Sequence, residues 1–451
     1  MNKNIKRIVI ALVISIASVT SAFGNEIDPI LKKLDISGFI RTRGWYIGSS
    51  IKLPSAFSDS DGYKQAYYLD LFARGRLNIK VNDLVEIKSV FDISAAYGKD
   101  SFAIGSGSTN LITRDIYTIF HFSKDSELSI GLRPFSLNGG FIIARDAAGI
   151  KYEHKFLKKK INLYTAMIFA YDNANDSLGA NSDPPFYAGD YIFYVGGIFK
   201  PMANYTIDTY YAIEVDYYMP AVATGDAPTS DRKGVLHWIG FHNKIVLGDL
   251  FIKFGGILNF GTLENHIWSD TGSDNIWDIE ITTTTNTLAG LWEFSIGYRL
   301  ENFQISLAAE GATGDPNDTS ANSSFQDIKA SHGFSLIAVD NSGGIAIRGS
   351  GESSWYGLYG QGIKVQFDPT AELSLKLNYF HFRTVSAVSS STWFGDEIDI
   401  LVDMKFKNGL SVFVHGGLFL ANDAYKGLTA VNHTVSTGLI GELSAGVKVK
   451  F

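Results

Sequence analysis

The sequence predicts an all-β fold, a transmembrane antiparallel β-barrel of about eighteen strands with short periplasmic turns and long extracellular loops. Three observations predict it. Runs of 10 to 15 residues alternate, with charge confined to one face. Tight turns alternate with long polar segments along the chain. After the N-terminal stretch, no uninterrupted apolar run is long enough to cross lipid as a helix, which leaves strands as the means of crossing.

Alternation carries most of the weight. In "YYLDLFARGRLNIKV" (67–81), Tyr67, Leu69, Leu71, Leu77, Ile79 and Val81 share one face. Asp70, Arg74, Arg76 and Lys80 share the other. Successive side chains of a strand point to opposite faces, so one face is apolar and the other charged. "LAGLWEFSIGYRL" (288–300) and "EIDILVDMKF" (397–406) repeat the pattern, with Glu293 and Arg299, then Glu397, Asp399, Asp403 and Lys405, on the polar face. Soluble strands are usually about 5 or 6 residues long, whereas a tilted membrane strand needs about 9 to 11.

The eighteen predicted strands are 34–46, 67–81, 84–97, 111–122, 127–134, 148–156, 161–171, 191–199, 205–218, 236–247, 250–260, 288–300, 303–311, 357–367, 372–384, 397–406, 410–420 and 435–451. Turns such as "ND" (82–83), "EN" (301–302), "DPTA" (368–371) and "KNG" (407–409) are tight. Segments 47–65, 172–188, 219–234, 261–286, 312–354 and 421–434 are long and polar. This contrast argues against a propeller or a long sandwich, whose two rims would not differ so consistently.

Composition agrees. The 451 residues include 22 Tyr, 31 Phe and 45 Gly, which suit strands, interfacial girdles and turns. There is no cysteine, which excludes disulfides, thiolate metal sites and a Cys nucleophile. "MNKNIKRIVIALVISIASVTSAFG" reads as a signal peptide over 1–24, with Lys3, Lys6 and Arg7 before an apolar run. The barrel then occupies 25–451. Losing those three cations takes the formal charge from -7 to -10, a poor match for nucleic acid.

A barrel of this size encloses a lumen, and the charged faces are expected to line it. The pore-lining candidates are Arg41, Arg43, Asp70, Arg74, Arg76, Arg133, Lys151, Glu293, Arg299, Lys364, Glu397, Asp399 and Asp403. Early strands are richer in arginine and later ones in acid. Guanidinium groups bind carboxylates and phosphates bidentately, so Arg41, Arg43, Arg74 and Arg76 are the candidates for an anionic solute. The competing reading makes these charges structural ion pairs across the wall. The 312–354 segment either narrows the pore or forms an external loop. Acidic clusters at 59–62 and 270–274 lack a full calcium-loop pattern. His121, His154, His237, His242, His381 and His415 are scattered without a catalytic companion pattern, so no enzyme, cofactor or metal is expected. The chain runs out as "GELSAGVKVKF", whose strand is expected to close the barrel against the one near Leu34. Phe451 then lies in a periplasmic aromatic girdle and is a candidate signal for the barrel-assembly machinery.

Two stretches carry a family resemblance. "STWFGDEIDILVDMKFKNGLSVFVHGGLFLAND" (391–423) resembles the closing region of the bacterial alginate export family of outer-membrane porins, with Gly395, Glu397, Ile398 and Asp399 at the places of a Gly-x-Glu-aliphatic-Asp segment. "GLRPF" and the Arg145–Asp146 pair resemble that family's "GRQ"-like strand and its following Arg-Asp. The resemblance implies an eighteen-stranded, monomeric barrel in a Gram-negative outer membrane. It also implies passive movement of an anionic or sugar-like solute past Arg41, Arg43, Arg74, Arg76, Arg133 and Arg145. The expectation is a porin-like channel for small hydrophilic solutes. Its alternatives are an exporter of an acidic exopolysaccharide and a plugged surface adhesin.

Overall fold

The structure, a computed structural model, describes residues 34–49, 65–97, 109–137, 142–170, 190–216, 231–270, 277–314, 335, 357–388, 391–422, 424 and 438–451. Eighteen strands run in chain order: β1 (Leu34–Ser49), β2 (Gln65–Lys80), β3 (Val85–Tyr97), β4 (Thr109–Ser123), β5 (Ser126–Leu137) and β6 (Ile143–Phe156). Then come β7 (Ile161–Ala170), β8 (Asp190–Met202), β9 (Tyr205–Asp216), β10 (Asp231–Leu247), β11 (Leu250–Asp270) and β12 (Trp277–Arg299). The last are β13 (Phe303–Ala312), β14 (Leu358–Phe367), β15 (Leu373–Val388), β16 (Ser391–Lys405), β17 (Leu410–Ala421) and β18 (Gly438–Lys450). Each pairs antiparallel with its neighbours in sequence, and β1 also pairs with β18. The sheet closes and no edge is left bare. All eighteen predicted strands are present.

Alternation sets which face looks outward. Leu69 and Leu71 on β2, Ile305 and Leu307 on β13, and Leu443 and Val447 on β18 are all exposed. They fall on the faces that the sequence pattern leaves uncharged. The opposite faces hold the charges and one continuous apolar cluster that includes Ile47, Ile168, Trp238, Phe380, Phe419 and Ile440. A wall of exposed apolar side chains around a polar interior is the inverse of a soluble protein and suits lipid.

One rim is built of tight turns. At the β2–β3 turn, Asn82 Oδ1 accepts hydrogen bonds from the Leu84 and Val85 amides at 2.9 and 2.8 Å. At β14–β15, Thr370 Oγ1 accepts from the Glu372 and Leu373 amides, both at 3.2 Å. The short-turn rim of such barrels is periplasmic.

The seam lies at that rim. The Gly38 and Phe451 backbones exchange hydrogen bonds of 2.9 and 3.0 Å. The Phe451 ring covers Gly38 closely: a Cβ there would stand 2.8 Å from its Cζ. An aromatic over a bare glycine buries backbone that would otherwise face lipid.

Two features differ from expectation. Residues 261–270 and 277–286 are strand rather than loop: β11 continues to Asp270, and β12 begins at Trp277. The "TTTTNT" run (282–287) has strong strand propensity but no apolar alternation, because a strand above the lipid has no need of one. The second feature is the end of the β5–β6 hairpin. β4 stays paired with β3 as far as Thr109, yet its pairing with β5 stops at Ile116 opposite Leu132. β5 and β6 remain paired to Leu137 and Ile143. Ile142 and Ile143 are consecutive and both 0% exposed. The Phe135 ring lies 6.5 Å from that of Tyr194 on β8. These contacts place the hairpin end inside the barrel. Gly131 stands at the departure point with φ 132°, a conformation that L side chains rarely adopt, and a Cβ there would meet the Ile116 carbonyl at 2.5 Å.

The predicted signal peptide and the 59–62 cluster lie outside the described residues, as does 312–354 apart from 312–314 and 335. Of the 270–274 cluster only Asp270 is described.

Candidate functional site

Strand register brings the early arginines into one strip across β18, β1, β2 and β3. Arg43 stands opposite Asp70, and Arg74 opposite Asp92. Arg43 Nε donates to Asp70 Oδ2 at 2.7 Å, Trp45 Nε1 donates to the same oxygen at 2.7 Å, and Arg41 Nη2 lies 3.5 Å from Asp70 Oδ1. The Arg43 guanidinium also sits 3.7 Å above the Trp45 ring. Arg74 grips Asp92 with Nε and Nη2, both at 2.7 Å. This fork-to-fork geometry makes the strong, directional kind of ion pair. Arg114 on β4 reaches Asp92 at 3.4 Å and also pairs with Asp146 on β6.

Closer to the short-turn rim the balance changes. Lys448 on β18 stands opposite Arg41, and Lys450 opposite Phe39. Arg76 faces Ser37. Among the described residues none of Arg76, Lys448 and Lys450 forms an ion pair with an acid. Aromatic faces back Lys448 and the paired Arg41 and Arg74. Lys448 Nζ is 3.9 Å from the Phe39 ring centre, and Arg41 and Arg74 each stand 5.4 Å from that of Phe72. Phe39 and Phe72 pack on each other at 5.7 Å. Lys448, over the Phe39 ring, keeps its charge, unlike a cation locked to a carboxylate.

A second arc, from β10 to β17, interleaves acids with cations: Lys244 stands opposite Lys253, and Lys364 and Lys376 lie among the carboxylates. Glu293 lies 3.5 Å from His242 and stands opposite Glu310. Lys364 sits 5.2 Å over the Phe380 ring. Glu397 and Asp399 are 0% and 1% exposed. Asp403 is 3.1 Å from His415 and 3.8 Å from Lys376. Arg299 turns back to Gln304 Oε1 at 3.0 and 2.8 Å, near the rim.

The remaining candidates lie on β5 and β6, Arg133 in the inward part and Lys151 in the wall below it. Arg133 stacks 5.3 Å from both Tyr117 and Phe135 and donates to Ser129 Oγ. Lys151 pairs with Glu153 at 3.0 Å. Arg145 is described only in its backbone, opposite Phe135.

The structure thus groups Arg41, Arg43, Asp70, Arg74 and Arg76, and places Glu293, Glu397, Asp399 and Asp403 elsewhere on the ring. Sequence reasoning missed Lys448, Lys450 and Arg114 as members of the basic strip. The β18 alternation already put both lysines on the polar face, but their partners become visible only once the barrel closes. The apolar cluster on the inner face encloses charge as well: Glu397 stands between Phe380 and Phe419 in register, and Glu442 stands opposite Ile47.

This geometry has relatives among solved structures. Acinetobacter baumannii OccAB1 is 13% identical with a TM-score of 0.53, covering 92% of this chain and 97% of its own. Pseudomonas aeruginosa OccK7 (OpdD) is 13% identical with a TM-score of 0.52, covering 92% and 99%. Pseudomonas aeruginosa OccK8 (OprE) is 10% identical with a TM-score of 0.51, covering 92% and 98%. The chain has the closed eighteen-stranded fold of outer-membrane porins. No family model and no curated protein matches the sequence. The alginate-export likeness therefore rests on the two quoted stretches alone.

Proposed function

We propose that this protein is an outer-membrane channel for passive diffusion of small hydrophilic solutes, with a preference for anionic or sugar-like ones. The observation that carries the reading is the strip of Arg76, Lys448 and Lys450, three inward cations with no acid partner among the described residues, inside a closed barrel. Barrels of sixteen to eighteen strands enclose an aqueous lumen, and rings of charge set ion preference in it. Arg41 and Arg74 extend the strip as aromatic-backed cations whose charge Asp70 and Asp92 partly balance. A small anion gains from the strip without displacing an existing pair. Reconstitution into a planar bilayer tests this: a salt gradient should give open channels and a reversal potential on the anion-selective side.

A second reading, a plugged structural or adhesive barrel, draws on the complete burial of Ile47, Trp238, Phe380 and Phe419 on the inner face. It predicts silence at all voltages. The exporter reading draws on the same basic strip. The carboxylates weigh against it, because a polyanion threading the lumen would pass Glu293 and Asp403 as well as the cations. Deletion that abolishes polymer secretion while sparing solute uptake would favour it.

Phe451 is proposed to serve assembly as well as the seam. Its two backbone bonds to Gly38 survive any side chain, so Phe451→Asn should spare the seam pairing while cutting the yield of inserted protein several-fold. The band of unheated, folded protein in outer-membrane fractions measures this. An unchanged yield would remove the assembly role.

A further inference from the structure

Arg383 on β15 and Asp396 on β16 are charged side chains on the outward faces of their strands. They belong to one hydrogen-bonded network. Asp396 accepts from the Tyr379 hydroxyl at 2.7 Å and from Trp393 Nε1 at 3.0 Å. His381 Nδ1 lies 2.8 Å from Asp396 Oδ1, and Arg383 Nε donates to His381 Nε2 at 2.8 Å. Because His381 Nε2 accepts, its Nδ1 carries the proton and donates to the aspartate.

The two charges are treated unequally. Three donors converge on Asp396 and enclose its negative charge. Among the described residues, Arg383 donates its one hydrogen bond through Nε, and neither Nη group is engaged. Tyr359 stands opposite Arg383 in register, with Trp292 5.5 Å from it. Trp393, opposite on the other side, is 41% exposed. The arrangement is a tethered guanidinium between aromatic rings on a lipid-facing wall.

Height decides what such a group meets. Ten residue steps from Leu373 to Arg383 rise about 33 Å along the strand. At a tilt of about 40° that is about 25 Å along the membrane normal, the full thickness of the apolar band. Arg383 therefore stands at the interface far from the short turns, where headgroups lie and where a charge costs little. A planar fork with two free nitrogens matches paired oxygens on a tetrahedral anion.

We propose that the outer wall of β15 and β16 binds the phosphate of an outer-leaflet lipid headgroup through Arg383, with Asp396 and His381 positioning the guanidinium and Trp393 and Tyr359 flanking the acyl-proximal sugar or glycerol. The channel reading supplies only the membrane in which the lipid lies. Failure of this site would leave conductance and ion preference untouched.

Native mass spectrometry of the detergent-purified protein tests it, with three probes: a bisphosphorylated glycolipid, the same lipid after phosphatase treatment, and inorganic phosphate. Wild type should retain the bisphosphorylated lipid about tenfold better than the dephosphorylated form, and Arg383→Gln should lose that preference. Should Arg383→Gln fail to insert, the preference of wild type between the two lipids decides alone. Equal retention of both lipids, or unchanged retention by Arg383→Gln, would overturn the proposal. Displacement of the lipid by millimolar inorganic phosphate would show a free-anion site, and self-association lost in Arg383→Gln without lipid would show a contact between copies. Either result also overturns it.

Discussion

Replacing Arg76, Lys448 and Lys450 together with glutamine is expected to lower the anion-over-cation permeability ratio by about tenfold. A unit charge about 4 Å away is worth about 1 kcal/mol in water, and about 1.4 kcal/mol in total is needed for a factor of ten. Three cations near the pathway supply that even when none touches the ion directly. The matched control is Arg43→Gln. Arg43 is 9% exposed and committed to Asp70, so its removal should change selectivity far less than loss of the open cations. A triple variant with wild-type selectivity would remove the basic strip from the permeation pathway. A larger effect from Arg43→Gln would move the selective element toward the paired arginines.

The second large effect is on stability. Asp92→Asn should cost about 3 kcal/mol, because it strips the carboxylate from a buried, bidentate partner. The side chains of Asp92 and Arg74 are 8% and 20% exposed, so water replaces little of the lost interaction. Arg114, at 42%, is solvated well enough to contribute only slightly. The expected result is a lower denaturant midpoint in the transition from folded to heat-type mobility. Adding Arg74→Gln to Asp92→Asn should recover part of the loss, since the penalty lies in the orphaned cation rather than in the missing bond. Additive losses in the double variant would mean that the pair is not coupled.

These two predictions divide the arginines in a way that sequence alone could not. The alternation in β2 showed Arg74 and Arg76 on one face with Asp70. Which of them is neutralised depends on register, and the register of β2 against β3 follows from the tight turn closed by Asn82. That register sets Arg74 against Asp92 and leaves Arg76 opposite Val90. Lys448 and Lys450 were visible as polar-face residues, but they join the strip only through the β18–β1 seam. The inward hairpin left almost no trace. Its one local sign is Gly131 within "SIGLRPF", and a glycine in a strand does not announce a positive φ. The extensions of β11 and β12 were hidden for a related reason: periodicity reports a boundary between lipid and lumen, and above the membrane that boundary is gone. The outer-wall network around Arg383 was obscured by the break in β15–β16 register between Phe382 and Arg383, which moves Trp393 rather than Phe394 to the outer face.

The central claim is that the closed barrel is an open, anion-preferring channel. The most direct measurement is the reversal potential of wild-type protein in a planar bilayer under a potassium chloride gradient. The account predicts discrete open channels whose reversal potential lies on the chloride side of zero. A barrel that never opens, or one whose reversal potential lies on the potassium side, would contradict it.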